Sequence, residues 1–167
     1  MKRLTILLML AVLAAGCRQV PVVDVEAPKG DTLKENLINA NRYIAQGEET
    51  QIEAYMERRG WQMQRLVGGA RVMETKVGEG EKIDYEDTVV VDYDLEAISG
   101  TRIYSAVSDT VVVGRLQPTR GLDAALRTLR RGSEAIVIAP SEQAYGVVGD
   151  GDRIATRMIL IYRLKVK

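Results

Sequence analysis

The first apolar positions of the chain form one run, Leu4–Ala15, behind Lys2 and Arg3. As a helix this run reaches only roughly 18 Å at about 1.5 Å per residue, well short of the roughly 30 Å hydrocarbon core, so residues 1–16 read as an export signal rather than a membrane span. Residues 17–30 hold Pro21, Pro28 and Gly30 and show no amphipathic period, which predicts a tether. Over residues 31–60 the pattern turns helical. Leu33, Leu37, Ile38, Ala40, Tyr43 and Ile44 recur at helical spacing, and Thr32 with Glu35 has the spacing of a capping box. Gly47 is expected to break the helix, and a second run places Ile52, Tyr55 and Met56 on one face before Arg58, Arg59 and a Gly60 cap. The apolar stripe is narrow, so this helical extension has to dock. It can do so on the rest of its own chain or on a second copy, as a homodimerisation arm.

After Trp61 the apolar positions shorten into strand-like runs. Residues 62–66, 71–76, 88–95, 110–113, 134–139 and 158–166 are expected strands, and in the third Val89, Val91, Tyr93 and Leu95 share one face. Gly68-Gly69, Val77-Gly78-Glu79-Gly80-Glu81 and Ser99-Gly100 supply turns between them. One helical run interrupts the strands, residues 122–129, with Leu122, Ala125, Leu126 and Leu129 at helical spacing and Gly132 beyond its end. Strands with a single short helix among them predict an α+β domain over residues 61–167, an antiparallel sheet with the helix packed on one face.

Composition narrows the chemistry. The 167 residues are 46% hydrophobic and 28% charged, as in a globular chain. With no His there is no Ser-His-Asp triad, no Cys-His dyad and no His-ligated metal site. A single Cys excludes an intramolecular disulfide and a Cys-x-x-Cys site. Lys and Arg total 23 against 23 Asp and Glu, and no stretch supplies the local excess needed to neutralise several phosphates, so no nucleic-acid partner is expected. The one Cys closes Leu13-Ala14-Ala15-Gly16-Cys17, which resembles the bacterial lipobox, although the commonest form has a large aliphatic residue where this chain has Ala14. That resemblance implies cleavage before Cys17, lipidation of Cys17 and a protein anchored to a bacterial membrane in the cell envelope, at the outer membrane or the periplasmic face. The alternative is a plain export signal followed by an incidental Cys.

Further along, the signals come in a familiar order. Val77-Gly78-Glu79-Gly80, the strand Val89-Val90-Val91-Asp92-Tyr93, Gly100 followed by Ile103-Tyr104-Ser105, Gly114 and Arg120-Gly121-Leu122-Asp123 lead to Arg131-Gly132 and Pro140. Ala144-Tyr145-Gly146, Ile154 and the closing Leu160-Ile161-Tyr162-Arg163-Leu164 complete the series. Over residues 77–167 this order resembles the FKBP-type peptidyl-prolyl cis-trans isomerases, and the signal, tether and helical leader resemble their exported lipoprotein members. The resemblance implies an antiparallel β-sheet wrapped on one short helix, rotamase and chaperone activity, and partners that are proline-containing segments of exported proteins.

Such a reaction has its own physical requirement. Turning an X-Pro amide crosses a barrier of about 18–20 kcal/mol set by amide resonance, and the twisted amide has lost the charge separation that water solvates. An apolar, dry pocket therefore binds the twisted state better than the planar one, with no acid, base, metal or cofactor. The resemblance implies a catalytic pair, Tyr93 on the pocket wall and Tyr145 donating a hydrogen bond to the bound peptide carbonyl. Ile103, Tyr104, Thr119, Leu122, Ile154 and Tyr162 are the positions it implies for substrate contact. Several depart from the family pattern. Ile103 stands for Phe, Tyr104 for the Asp that would bond Tyr93, Pro118-Thr119 for Val-Ile and Leu122 for Trp, which implies a wider, less shaped pocket. Asp150 and Asp152 lack the spaced ligands of a calcium loop and are expected to make a turn. Two functions stay open, an isomerase and a peptide-binding module that has lost turnover.

Overall fold

A computed structural model describes residues 30–167. The export signal, Cys17 and the tether to residue 29 lie outside the described residues. Two compact units divide the chain, one ending at Leu37 and the other Ile38–Lys167.

The first element, α1 (Gly30–Arg59), runs unbroken through Gly47. A glycine inside a helix costs only about 1 kcal/mol relative to alanine, which the docking of the turns that follow can offset. The expected capping box at Thr32 and Glu35 lies inside the helix, which begins two residues earlier. At the other end Gly60, with φ +64°, closes the helix as expected. Its N–H donates to the Glu57 carbonyl at 3.0 Å and that of Trp61 to Met56 at 3.0 Å, which satisfies two of the last carbonyls.

Six antiparallel strands follow: β1 (Gln64–Arg65), β2 (Arg71–Lys76), β3 (Thr88–Ala97), β4 (Arg102–Val112), β5 (Glu134–Ala139) and β6 (Leu160–Val166). They form one sheet in the order β1-β2-β5-β6-β3-β4. A short helix, α2 (Arg120–Leu126), joins β4 to β5, and Thr119 caps it. The expected α+β architecture is therefore present. Val89, Val91, Tyr93 and Leu95 of β3 face one core, together with Ala135, Val137 and Ala139 of β5, Leu160 and Tyr162 of β6, and Leu122, Ala125 and Leu126 of α2. The opposite side chains of β5 and β6, Ile136, Ile138 and Ile161, join Ile159 in a second cluster that Ile52 and Tyr55 of α1 cover. Burial on both faces is why residues 134–139 read as a continuous apolar run.

β4 differs most from expectation. Only residues 110–113 are legible as a strand, yet pairing with β3 begins at Arg102. It is an edge strand with polar outward residues, and its register shifts twice, where Tyr93 and Leu95 face Val107 and Tyr104 and again where Glu96 faces Arg102. Bulges of this kind break the alternation that sequence reading depends on, and they re-aim side chains. At the other end of the domain, Gly78 lies so close to the chain after α2 that a Cβ would sit 2.2 Å from the Arg131 carbonyl oxygen. Glycine is required there by space.

Candidate functional site

Where β3, β4 and β6 meet the loops after β5, four tyrosines converge with three aspartates. Tyr93 and Tyr162 are neighbours because their strands pair, and their rings pack edge to face with centroids 5.4 Å apart. The Tyr93 hydroxyl donates to Asp109 Oδ2 at 2.6 Å. The Asp that the family resemblance places after Ile103 is thus replaced by another carboxylate on the same strand. Burial first, then the Asp109 hydrogen bond and charge, push Tyr93 far above the usual phenol range.

The hydroxyls of Tyr162 and Thr119 lie 3.1 Å apart and share a hydrogen bond. Thr119 Oγ1 also accepts from the Leu122 N–H at 3.3 Å as the helix cap. In the sequence Thr119 is an intrusion of polarity into an apolar pocket. Here the residue is 2% exposed and its hydroxyl is satisfied from within, so it needs no water. Tyr162 is itself fully buried, and burial raises its phenol well above the ordinary value.

Tyr104 turns away to the next loop. Its hydroxyl donates to Asp150 Oδ2 at 2.5 Å and lies 3.3 Å from Asp152 Oδ2. Asp150 Oδ1 accepts from the N–H groups of Asp152 and Ile154 at 2.9 and 2.8 Å, the turn chemistry expected of this loop. The Tyr104 bond, followed by the backbone N–H donors, holds Asp150 down to about 2, and the same bond pushes Tyr104 up to about 12. This hydroxyl is committed to shaping the loop that carries Ile154.

Tyr145 is half-buried and packs against the inner core cluster, as do Tyr104 and Val107. Burial, then the charges of Asp150 and Asp109, raise its phenol, and among the described residues nothing hydrogen-bonds its hydroxyl. The same core cluster holds Leu122, fully buried, Ile154 at 3% and Ile103 at 7% exposure. Every pocket position assigned from the sequence therefore falls in or beside one cluster, with Leu122 and Ile103 part of its core rather than of the surface.

Asp109 is the participant that the residue-by-residue assignment misses. Its signal is the alternation Val107, Asp109, Val111, Val113, which puts a carboxylate on the inward-facing series of a strand. The three phenols Tyr93, Tyr145 and Tyr162 all shift upward, chiefly through burial, so each keeps its proton even further above neutral pH than an ordinary tyrosine does. Phenols and aliphatic side chains thus meet on a sheet wrapped over a short helix, and the class of the protein follows from that fold.

The comparisons with known proteins agree with that class. The profile of the FKBP-type peptidyl-prolyl cis-trans isomerases matches residues 76–167, and the chain belongs to this family. A probable FKBP-type peptidyl-prolyl cis-trans isomerase, FkpA, of Neisseria meningitidis serogroup B is 32% identical over 94 residues, which is 55% of this chain and 35% of that protein. Among solved structures, a peptidyl-prolyl cis-trans isomerase from Pseudomonas syringae pv. tomato superposes with a TM-score of 0.62 at 24% identity, covering 75% of this chain and 92% of that one. The N-terminal domain of FKBP42 from Arabidopsis thaliana gives 0.58 at 20% identity, covering 64% and 90%. At these identities the two structures speak for the fold alone.

Proposed function

We propose that the protein is a peptidyl-prolyl cis-trans isomerase of the bacterial cell envelope that turns X-Pro bonds in exported proteins. The observation that carries this reading is the Tyr145 hydroxyl, half-buried beside the Tyr93 and Tyr162 rings and bonded to no described residue. It is free to donate to the carbonyl of a bound X-Pro bond. Ile154 and Ile103, almost wholly buried, with Leu122 behind them in the core, make the aliphatic side of the cluster, and Tyr93, fixed by Asp109, forms a wall. As the C–N bond twists, resonance and its charge separation are lost, so the apolar surroundings favour the twisted amide over the planar one. Tyr145 holds the carbonyl while the ring turns. A lipid on Cys17 and the tether of residues 17–30 would keep the domain at a membrane surface, and the first half of α1, where Leu33, Leu37, Ile38 and Tyr43 are exposed, would serve as a homodimerisation arm.

A second reading, a peptide-binding module without turnover, is favoured by Leu122, which is fully buried where the family pattern has Trp, and by Tyr104, whose hydroxyl is committed to Asp150. A proline-limited refolding assay separates the two. Wild type is expected to accelerate refolding, and Tyr145→Phe to lower the rate by about two- to tenfold, the worth of one neutral hydrogen bond. No acceleration at any concentration, with X-Pro peptide still shifting the Tyr93 and Tyr145 resonances, would establish the module instead. Cys17→Ala is expected to release the protein from membranes, and an unmodified Cys17 in membrane-extracted protein would end that part of the proposal.

A further inference from the structure

The helix that precedes the sheet reaches the Tyr145 turn through a buried carboxyl group. Glu48, mid-way along α1 and 7% exposed, directs both oxygens at Ser141. Oε2 accepts from the Ser141 backbone N–H at 2.8 Å and Oε1 from its hydroxyl. Ser141 is 1% exposed, and its carbonyl accepts from the N–H groups of Ala144 at 3.1 Å and Gly146 at 2.8 Å, the two residues that flank Tyr145. A second link runs from the far side of the turn. The Arg157 N–H donates to the Gly146 carbonyl at 2.7 Å, and its guanidinium reaches Asn41 Oδ1 of α1 at 3.3 Å.

Between the two links lies a cavity of about 440 Å³, bordered by Ile44, Glu48, Leu66, Pro140, Ser141 and Arg157. Packed side chains do not fill this stretch, so the polar links carry the attachment. Nor does docking of α1 need a buried carboxyl group, since Ile52 and Tyr55 already seat the helix on the sheet. A carboxyl group so placed is costly unless its bonds are made, and here both are made to the residue from which the Tyr145 turn hangs.

We propose that Glu48 is a positioning residue for the isomerase site, holding through Ser141 the turn that presents Tyr145. The inference rests on the isomerase reading, but the geometry it concerns can be measured without turnover. The experiment is residue-resolved amide hydrogen exchange on the full chain, paired with prolyl isomerisation kinetics, for wild type, Glu48→Ala and Glu48→Gln. Glutamine keeps an oxygen for the Ser141 N–H and offers an N–H to the Ser141 hydroxyl, which can accept, so both links survive. In Glu48→Ala the Ala144 and Gly146 amides are expected to exchange roughly tenfold faster while those of β5 and β6 do not change, and in Glu48→Gln all stay within about twofold of wild type. The specificity constant kcat/KM is expected to fall about two- to tenfold in Glu48→Ala and to recover in Glu48→Gln. If Glu48→Ala does not fold, Ser141→Ala, which removes only the hydroxyl link, is read on the same amides. Unchanged exchange at Ala144 and Gly146, or faster exchange spread evenly over turn and sheet, overturns the proposal. A wild type with no turnover overturns the isomerase reading, and the exchange pattern still decides whether Glu48 holds the turn.

Discussion

The two faces of the sheet are buried by different means. On the inner face α2, seven residues long, sets Leu122, Ala125 and Leu126 among the side chains of five strands, and the edge of that core carries the tyrosine hydroxyls, Thr119 and Asp109. On the outer face the second half of α1 lays Ile52 and Tyr55 over Ile136, Ile138, Ile159 and Ile161, with Trp61 against Tyr55 and the Arg59 guanidinium 3.7 Å above the Tyr55 ring. The outer cluster is aliphatic and aromatic packing. At the inner edge, Tyr93, Tyr104 and Tyr162 each have a partner, and Tyr145 is left over. A surface meant only to stabilise can be built from interchangeable apolar groups. Under the proposed isomerase reading, the inner edge pairs three of its tyrosine hydroxyls internally and keeps the fourth, that of Tyr145, for a peptide.

That contrast can be broken most forcefully on the outer face. Ile52→Ala removes a fully buried side chain from the cluster under α1 and is expected to lower unfolding stability by about 2–5 kcal/mol in a denaturant titration. The Tyr93 and Tyr162 resonances of the remaining folded protein should stay in place. Movement of both would show that the two faces are not separable.

On the inner face, Tyr93→Phe deletes the bond to Asp109. Bonds to charged groups are worth about 1.5–3 kcal/mol, and because Asp109 is only part-buried and can recover water, a loss of about 1–2 kcal/mol is expected. A double-mutant cycle with Asp109→Ala, which removes the acceptor, should give a coupling of similar size. Additive effects would mean that the pair contributes nothing.

Tyr145→Phe is the reverse case, with stability within about 0.5 kcal/mol of wild type in the same titration while the isomerisation rate falls. A stability loss matching that of Tyr93→Phe would place Tyr145 among the structural tyrosines.

The smallest expected effect is on pH dependence at the exposed rim. Asp150 is held below its ordinary value, so its contribution is present above about pH 4 and lost as pH falls toward about 2. Tyr104 is raised, so its contribution is present below about pH 10 and lost as pH rises toward about 12. Tyr104→Phe should flatten both limbs of the stability profile together. If only one limb changes, the two groups are not acting on each other.

Much of the fold can be read along the chain because it rests on local periods. The alternation of Val89, Val91, Tyr93 and Leu95 marks β3 and the face it buries, and Gly60 marks the end of α1. The site is less legible. Tyr145 stands out by its motif, whereas Thr119 reads as a polar defect until the hydroxyl of Tyr162 is set beside it. Asp109 escapes because the bulges in β4 disturb the strand period just before it. Gly47 misleads in the other direction, since a local helix breaker is overruled by the docking of the turns that follow.

By itself the sequence determined the α+β class, the tyrosines available to the site and the exclusion of histidine chemistry, all of which depend on residue type and on spacings within one element. Only the tertiary structure decided the partners. Tyr93 finds Asp109 16 residues away, and Glu48 finds Ser141 93 residues away. Such pairings depend on strand order, on bulges that shift register and on which face of the sheet a helix covers. No local period encodes those, because they are settled by the packing of all the elements at once.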